Sequence, residues 1–358
     1  MLKYDQVREY YLDALKRCFS RIPEREISLE LAKRQTAADA TLLLSSKDIQ
    51  KELFIELKSL GTPKQIRNAI NQLLVILNEN PQSYGIVIAP FIPPRSADIC
   101  KQANIGYVDL SDNFWIAFNS IFLSQENMPN KFPAKTSLSN LYAPRTERVL
   151  RVLLTFPEQL WKTKNLADEA DISLGMITHI RRRLEEEEWV NRQETGFSLA
   201  NPQALLADWV NHYNFHNHKQ YEFYAIEPLI EIETRVLEIC ANMNIDAALT
   251  GFSAANHLAP MVKSQKSTVF IAQDVLGVAK QAGLKSVTSG ANINLIKPYD
   301  CGVFWNRSRV QELYLATPVQ VYLDLMQMRG RGEEAANFLL EEVIKKQWDH
   351  QKRIMNPG

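Results

Sequence analysis

Three charged residues early in the chain have the types and spacing of a divalent-cation site. Glu56 and Lys58 flank Leu57 in a strand-like run, so both side chains project from one face of the strand. Asp39 opens a neighbouring strand-like run, and its carboxylate can converge with that of Glu56 on one Mg²⁺ ion. Lys58 then stabilises charge or orients water beside the metal, and Gln72 on the following helix supports the site. The pattern predicts a divalent-cation site in which Asp39 and Glu56 hold the metal.

The same residues also fit a simpler interpretation. A Glu-x-Lys triplet is common on exposed strand faces, where Glu56 and Lys58 would form a solvated pair. The domain would then only bind DNA or a partner. Only the cation-site interpretation requires Mg²⁺, because DNA binding alone needs no cofactor.

A second group of residues has the composition of a DNA-reading helix. Leu174–Trp189 places Ile177, Ile180 and Leu184 on one apolar face, and Ser173 is a suitable N-cap. A helix fits the DNA major groove, where exposed polar side chains reach base edges and cations neutralise phosphates. The residues predicted to contact DNA are Ser173, Met176, Thr178, His179, Arg181, Arg182, Arg183 and Arg192.

The elements around this helix have the order of a winged helix-turn-helix. Two helices, at Val149–Leu154 and Asn165–Ala170, precede it, and Asp171–Ser173 forms the turn. Val190–Leu199 predicts two short strands around Thr195-Gly196, which would be the wing. An open alternative is that Arg181–Arg183 and Glu185–Glu188 form a solvated face of i,i+4 pairs. Winged helices also serve as protein–protein modules, so a pure interaction protein is a third candidate function.

The elements around the predicted metal site alternate between helix and strand. An opening helix precedes three short strands, and a helix then follows whose first turn contains proline. A further strand, a short helix and a last strand complete an α/β domain around a mixed sheet. The predicted ranges are Ile27–Leu31, Ala40–Leu44, Leu53–Leu57, Pro63–Leu77, Tyr84–Ile92 and Ile105–Leu110.

Length and composition predict a multidomain α+β protein in a reducing, cytoplasmic setting. The 358 residues include 41 acidic and 41 basic side chains, so any nucleic-acid affinity must come from local clustering of charge. The four cysteines are far apart, and we find neither a signal peptide nor an apolar run that could span a membrane. A polar, proline-containing segment at Glu126–Ser139 predicts a linker. The predicted domains are residues 1–135, 140–215 and 220–358.

The third predicted domain begins with a long helix, Ala225–Ala241, and closes with a helix at Glu333–Trp348. Between them, Ala247–Leu249 and Thr268–Ile271 are strand-like. Just before this domain stand His212, His216 and His218, two of them at i,i+4 spacing. No cysteine or carboxylate nearby completes a zinc set, so we predict a surface helix end instead.

The first domain resembles the PD-(D/E)xK, or restriction-endonuclease-like, superfamily over about 125 residues. Ala38-Asp39 with Glu56-Leu57-Lys58 matches its motif, except that Ala38 stands where the family has proline. The order of strands and the helix that follows also match. The resemblance implies a metal-dependent DNA endonuclease, or a degenerate relative of one.

Several motifs across the rest of the chain resemble AbiEi-type antitoxins, the transcriptional regulators of type IV toxin–antitoxin systems, in a longer form with an added N-terminal domain. The motifs are Gly106–Asn113, Leu206–Trp209, Leu249–Ala255, Lys297–Asp300, Pro318–Leu325 and Arg329–Ala336. The resemblance implies a phage-defence or toxin–antitoxin regulator that binds operator DNA through its winged helix and represses its own operon. It also implies that the C-terminal domain counters a nucleotidyltransferase-type toxin. Palindromic operators favour a homodimer.

Two details qualify this resemblance. Asp112 stands where the family has glycine, and aspartate tolerates a positive φ less well than glycine. Gly251-Phe252-Ser253 after an apolar strand could instead be a phosphate-binding turn, as in nucleotidyltransferases. No Asp-x-Asp pair follows to hold Mg²⁺, so we do not expect transferase activity.

Overall fold

A computed structural model describes residues 4–22, 28–31, 37–46, 49–132, 141–261 and 265–355. The chain is a mixed α/β protein, and its contacts divide it into two compact units. The first unit contains Met1–Thr136 with Glu185–Glu188, and the second contains Ser137–Leu184 with Trp189–Gly358. The division into three domains with the boundaries given above stays a prediction.

In the described part of the first unit, seven strands form one sheet with helices on both faces. Its elements are α1 (Tyr4–Phe19), β1 (Ser28–Leu31), β2 (Ala40–Ser45), β3 (Gln50–Leu57), α2 (Pro63–Glu79), β4 (Tyr84–Ala89), α3 (Pro94–Gln102), β5 (Gly106–Asp109), β6 (Phe114–Phe118) and β7 (Ile121–Gln125).

The strands of this sheet lie side by side in chain order. β3, β4 and β5 are parallel, and α2 and α3 connect them as crossover helices. The other neighbouring strands are antiparallel. One face packs on α1 through residues such as Leu15, and the other packs on α2 and α3 through residues such as Phe54 and Ile66. This arrangement is the mixed sheet predicted from the sequence.

The first unit differs from the sequence prediction at the end of β4 and in one hairpin. β4 ends at Ala89 instead of Ile92, because Pro90 cannot donate to a neighbouring strand. The hairpin of β6 and β7 was not predicted, although Phe114, Ile116 and Phe118 alternate with less buried residues. Residues 133–139 of the predicted linker lie outside the described residues, as do Ile27 and 356–358.

The second unit begins with three helices and a hairpin, and a larger α/β region follows. The first part contains α4 (Pro144–Thr155), α5 (Thr163–Glu169), α6 (Leu174–Glu186), β8 (Val190–Gln193) and β9 (Gly196–Leu199). We call these five elements the helix–hairpin unit. Their order is the one predicted, although Gln193 pairs with Gly196, so the hairpin turn is Glu194-Thr195.

The rest of the second unit has a second sheet, again of seven described strands. Its elements are α7 (Pro202–His212), β10 (Lys219–Tyr224), α8 (Leu229–Asn242), β11 (Ala247–Leu249), α9 (Gly251–Leu258), β12 (Ser267–Ile271), α10 (Val275–Gln281), β13 (Lys285–Ser286), β14 (Ile293–Lys297), β15 (Ser308–Val310), β16 (Leu313–Leu315), α11 (Pro318–Met326), α12 (Gly332–Leu339) and α13 (Lys345–Met355). The strand order is β13-β10-β14-β12-β11-β16-β15.

Helix α4 lies in the middle of the core of the second unit. Its residues from Thr146 to Leu154 are buried, apart from the half-buried Arg148. One continuous apolar cluster includes Leu150 on α4, Ile177 on α6, Leu295 on β14 and Leu339 on α12. The helix–hairpin unit and the region after it therefore share one hydrophobic core.

Several elements of the second unit begin or end away from their predicted positions. α6 ends at Glu186, because Glu188 adopts φ 55° and the Trp189 N–H bonds back to the Leu184 carbonyl. α8 begins at Leu229, directly after Pro228. The predicted closing helix continues to Met355 and includes a π-helical segment at Leu340–Ile344.

Candidate nucleic-acid interface

Helix α6 has the buried and exposed faces that its sequence predicts. Ile177, Ile180 and Leu184 are buried. The Ser173 hydroxyl accepts a hydrogen bond from the Met176 N–H at 3.3 Å, which confirms Ser173 as the N-cap. A capped and packed helix of this kind can present its remaining side chains in a fixed orientation.

The residues predicted to contact DNA divide by exposure. Thr178, His179 and Arg182 on α6 are exposed, as are Ser173 before the helix and Arg192 on β8. Met176, Arg181 and Arg183 are half-buried. The exposed set has the donors and the cations that base edges and phosphates require.

The structure adds two lysines that sequence reasoning missed. Lys162 and Lys164 are exposed at the start of α5. Arg181 donates a hydrogen bond to the hydroxyl of Thr163, between them, at 3.4 Å. The start of α5 and the middle of α6 therefore form one cationic surface. The Lys-Thr-Lys run was the available signal, but spacing alone does not place α5 beside Arg181.

A cleft of about 600 Å³ borders the start of α6. Ser173 and Met176 line it, together with Arg145 and Arg148 from α4. Two acidic groups, on Asp168 and Asp171, also line the cleft, so its charge is mixed.

The acidic end of α6 belongs by its contacts to the first unit. Glu186 accepts hydrogen bonds from Thr62 at 3.1 Å and from Gln65 at 3.3 Å, and Glu188 pairs with Arg67 at 2.8 Å. These two glutamates therefore pair outside α6, and the alternative of a solvated face with i,i+4 pairs does not describe them.

Among the residues predicted for the cation site, Lys58 contacts Glu56 and Gln72, and Asp39 contacts the backbone between Glu56 and Lys58. Lys58 Nζ lies 2.7 Å from Glu56 Oε2 and 2.8 Å from the side-chain oxygen of Gln72. The Asp39 carboxylate accepts a hydrogen bond from the Leu57 N–H at 2.8 Å, at the same end of the paired strands β2 and β3. Only 2% of Glu56 is exposed, and this burial raises the pKa of its carboxyl.

The arrangement at this site fits a lysine better than a metal ion. The Lys58 ammonium already neutralises the Glu56 oxygen that would hold Mg²⁺. Among the residues that the structure describes, no three His, Cys, Asp or Glu side chains lie close enough to hold a metal ion. The Mg²⁺ assignment to Asp39 and Glu56 stays a prediction.

A buried polar network in the second unit was not predicted from the sequence. At its centre, the Asp324 carboxylate on α11 accepts hydrogen bonds from Gln320 at 2.8 Å and from the hydroxyls of Tyr213 and Thr250. The Gln320 oxygen in turn accepts from Arg151 on α4 at 2.8 Å. Arg151, Thr250, Gln320 and Asp324 are fully buried.

Burial shifts the pKa values of several groups in and beside the network, among them Asp324, Glu147 and His218. Burial raises the pKa of Asp324 to about 7, although its hydrogen-bond donors and Arg151 act in the opposite direction. The Glu147 carboxyl lies 3.6 Å from an Arg151 nitrogen, and burial raises its pKa as well. For His218, burial and the positive charge of Arg151 lower the pKa to about 3.

His218 corrects the prediction of a surface histidine cluster. Only 3% of it is exposed, its ring stacks on Tyr299, and its Nε2 shares a hydrogen bond with the Tyr213 hydroxyl at 2.8 Å. It is buried because the chain turns from α7 into β10 and packs the ring against Phe270. His212 and His216 are exposed, as predicted.

Gly251, in the segment considered as a phosphate-binding turn, is packed against Met328. Gly251 opens α9 with φ 54° and is buried, and a Cβ at this position would lie 2.2 Å from Cε of Met328. Asp112, the one departure from the family pattern noted above, adopts a positive φ of 72°.

Residues 198–345 match the family model described as "Transcriptional regulator, AbiEi antitoxin, Type IV TA system". This part of the chain is therefore similar to AbiEi-type antitoxins. These residues, called the AbiEi-type region below, contain Tyr213, Thr250, Gln320 and Asp324 of the buried network, and they begin at the end of the helix–hairpin unit. The match does not extend to residues 1–135, where the PD-(D/E)xK resemblance stays a prediction. A search among curated proteins gives no match.

Among the helices of the described ranges, none has both the length and the apolar composition needed to cross a membrane.

Proposed function

We propose that the chain is a DNA-binding transcriptional regulator, the autoregulating antitoxin of a type IV toxin–antitoxin or phage-defence operon. In this proposal the helix–hairpin unit is a winged helix-turn-helix, α6 enters the major groove, and β8 and β9 form the wing. The observation that carries it is the cationic surface of α5 and α6, next to a region that matches the antitoxin family.

The charge distribution suits this role. The chain has no net charge, so its DNA affinity must come from the local surface that contains Lys162, Lys164 and Arg182. Thr178 and His179 on the same helix can reach base edges, which gives sequence discrimination. Attraction to DNA of any sequence and recognition of a particular sequence would thus come from neighbouring side chains.

The partners follow from the family. We propose that the regulator acts in the cytoplasm on double-stranded operator DNA and counters a nucleotidyltransferase-type toxin. A homodimer would fit a palindromic operator, since the two-fold symmetry of the protein would match that of the site.

The test is incubation of the purified full chain with labelled duplex from its own promoter, with and without Mg²⁺ or Mn²⁺. A mobility shift without cleavage is the expected result, and it should weaken as salt increases. Arg181→Ala and Arg182→Ala should each reduce the shift. Equal affinity for the promoter and for a scrambled duplex of the same length would contradict the proposal.

The second candidate is a Mg²⁺-dependent DNA nuclease targeted by the helix–hairpin unit. The observation in its favour is the convergence of Asp39, Glu56, Lys58 and Gln72. Metal-dependent cleavage in the same gel, lost in both Glu56→Ala and Lys58→Ala, would establish it over the regulator. A matched control is Lys51→Ala, which removes a lysine from the other end of β3.

A further inference from the structure

We propose that Arg148 and Asp300 form a positioning pair, through which the AbiEi-type region holds the turn that precedes the DNA-reading helix. The inference rests on the proposed function, because it assigns a role in DNA binding to residues outside the cationic surface. In this proposal the position of α6 depends on Asp300. This residue lies 129 positions after Asp171 and belongs to the family-matched region.

One side of the Arg148 guanidinium is fixed to Asp300. Nε and Nη2 donate to the two carboxylate oxygens at 2.8 Å and 3.1 Å, which is the bidentate geometry of a strong arginine–carboxylate pair. Nη2 also lies 3.0 Å from the sulfur of Cys301. The Asp300 side chain is itself anchored, because it accepts from the Gly302 N–H at 2.7 Å.

The other side of the guanidinium holds the turn before α6. Nη1 donates to the backbone carbonyl of Asp171 at 3.1 Å and to its carboxylate at 2.9 Å. Asp171 adopts φ 50° and is followed two residues later by Ser173, the N-cap of α6. The Asp171 side chain is exposed, so the backbone contact and the more protected Asp300 contact carry most of the positioning.

The packing around Arg148 holds its side chain between Asp300 and Asp171. Only 16% of its side chain is exposed. A Cβ on Gly302 would lie 2.8 Å from Cγ of Arg148, so the stem of the arginine packs directly on the backbone of the 3-10 turn Cys301–Phe304. A lysine could not make both contacts, because its single ammonium lacks the planar fork that faces Asp300 and Asp171 together.

An alternative role for Arg148 is direct contact with a DNA phosphate, and the two roles predict opposite results. Asp300→Asn removes a negative charge near the DNA-reading helix, so a purely electrostatic role predicts tighter binding. The positioning role predicts weaker and less selective binding. Arg148→Lys keeps the positive charge, so it preserves a phosphate contact but loses the positioning pair.

The experiment measures affinity of the full chain for fluorescent promoter duplex and for a scrambled duplex, over a range of salt concentrations. The variants are Asp300→Asn, Arg148→Lys and the control Arg307→Gln, whose arginine pairs with Asp246 at 2.7 Å elsewhere in the same unit. We expect the first two to lose roughly 3- to 30-fold in preference for the promoter over the scrambled duplex. The control should keep the wild-type preference.

Two further readouts separate positioning from general loss of folding. The salt slope should stay at the wild-type value in Asp300→Asn, because no phosphate contact is removed. Amide hydrogen exchange at residues 172–177 should accelerate, while that of β11 and β12 stays unchanged.

The outcomes distinguish this inference from the proposed function. Wild-type protein that does not prefer its promoter would overturn the proposed function. Wild-type preference that Asp300→Asn and Arg148→Lys retain, or tighter binding by Asp300→Asn, would overturn the positioning pair alone.

Discussion

Arg151 on α4 donates a hydrogen bond to the side-chain oxygen of Gln320 on α11, at 2.8 Å, where neither side chain contacts solvent. The two residues are 169 positions apart in the chain. The pair joins the first helix of the helix–hairpin unit to the helix that also contains Asp324. A buried cation at such a place requires compensating charge, and Glu147 at 3.6 Å supplies it.

Replacing this cation should strongly destabilise the second unit. Arg151→Met leaves Glu147 buried without its positive partner, and we expect a loss of about 3–5 kcal/mol in the free energy of unfolding. Urea denaturation followed by circular dichroism measures the change. In Arg151→Met/Glu147→Gln the uncompensated charge is gone, so part of the loss should be recovered. Equal stability of the single and double variants would contradict the charge argument.

The protonation of Asp324 should make stability depend on pH. Its pKa is about 7 in the folded chain, above its ordinary value of 3.8. A raised pKa means that the stabilisation is complete below about pH 4 and is lost as pH rises through 7. Asp324→Asn removes this loss. The variant should therefore gain stability relative to wild type as pH rises from 4 to 7, by up to about 1.4 kcal/mol per pH unit. A pH-independent difference would contradict the prediction.

His218 should produce the opposite dependence. Its pKa falls to about 3 in the folded chain, so it stays neutral there while the unfolded chain takes up a proton near its ordinary value of 6.5. The stabilisation is present above pH 6.5 and is lost as pH falls toward 3. His218→Gln should lose less stability than wild type between pH 6.5 and 4. His216→Gln, at an exposed position, is the matched control and should follow wild type.

The two lysines at the start of α5 provide a separate test of the DNA surface. Lys162→Ala and Lys164→Ala should each weaken binding to promoter and scrambled duplex alike. The reason is that lysines at these positions would contact phosphates, which are the same in every DNA sequence. Each should reduce the slope of log affinity against log salt by about 0.9. Fluorescence anisotropy over a salt series measures both quantities.

Lys280→Ala is the control for the lysine series, since it removes the same charge from an exposed position on α10. It should change neither the affinity nor the slope. A similar loss in Lys280→Ala would mean that total charge, and not the surface of α5 and α6, determines binding.

Much of the local structure could be predicted from the sequence. The helical spacing of Ile177, Ile180 and Leu184, with Ser173 as cap, was sufficient for α6, because these signals lie within one segment. The alternation of side chains between the two faces of a strand was sufficient to predict that Glu56 and Lys58 share a face. β10 and β14 were missed because their pairing partners are distant in the chain and their own patterns are short.

The buried network could not be predicted for a related reason. Arg151 and Asp324 lie on α4 and α11, whereas Tyr213 follows α7 and Thr250 precedes α9. No spacing rule connects these four positions. His218 was misjudged because Asn and His in its segment indicate exposure, whereas its ring fills a site among Tyr213, Phe270 and Tyr299. Family motifs identified some of these positions without indicating that they meet.

The burial of α4 limits how this protein could be recombined with others. A DNA-reading module that is exchanged between regulators must keep its own core when it is cut away. Here a segment ending near residue 200 would expose the carbonyl groups of Leu154 and Thr155, to which Trp348 and Gln351 donate. It would also remove Gln320, the buried acceptor of the Arg151 hydrogen bond. Under the proposed function, changes in operator preference should therefore accumulate by substitution on the outer faces of α5 and α6, and not by transplanting the unit as a whole.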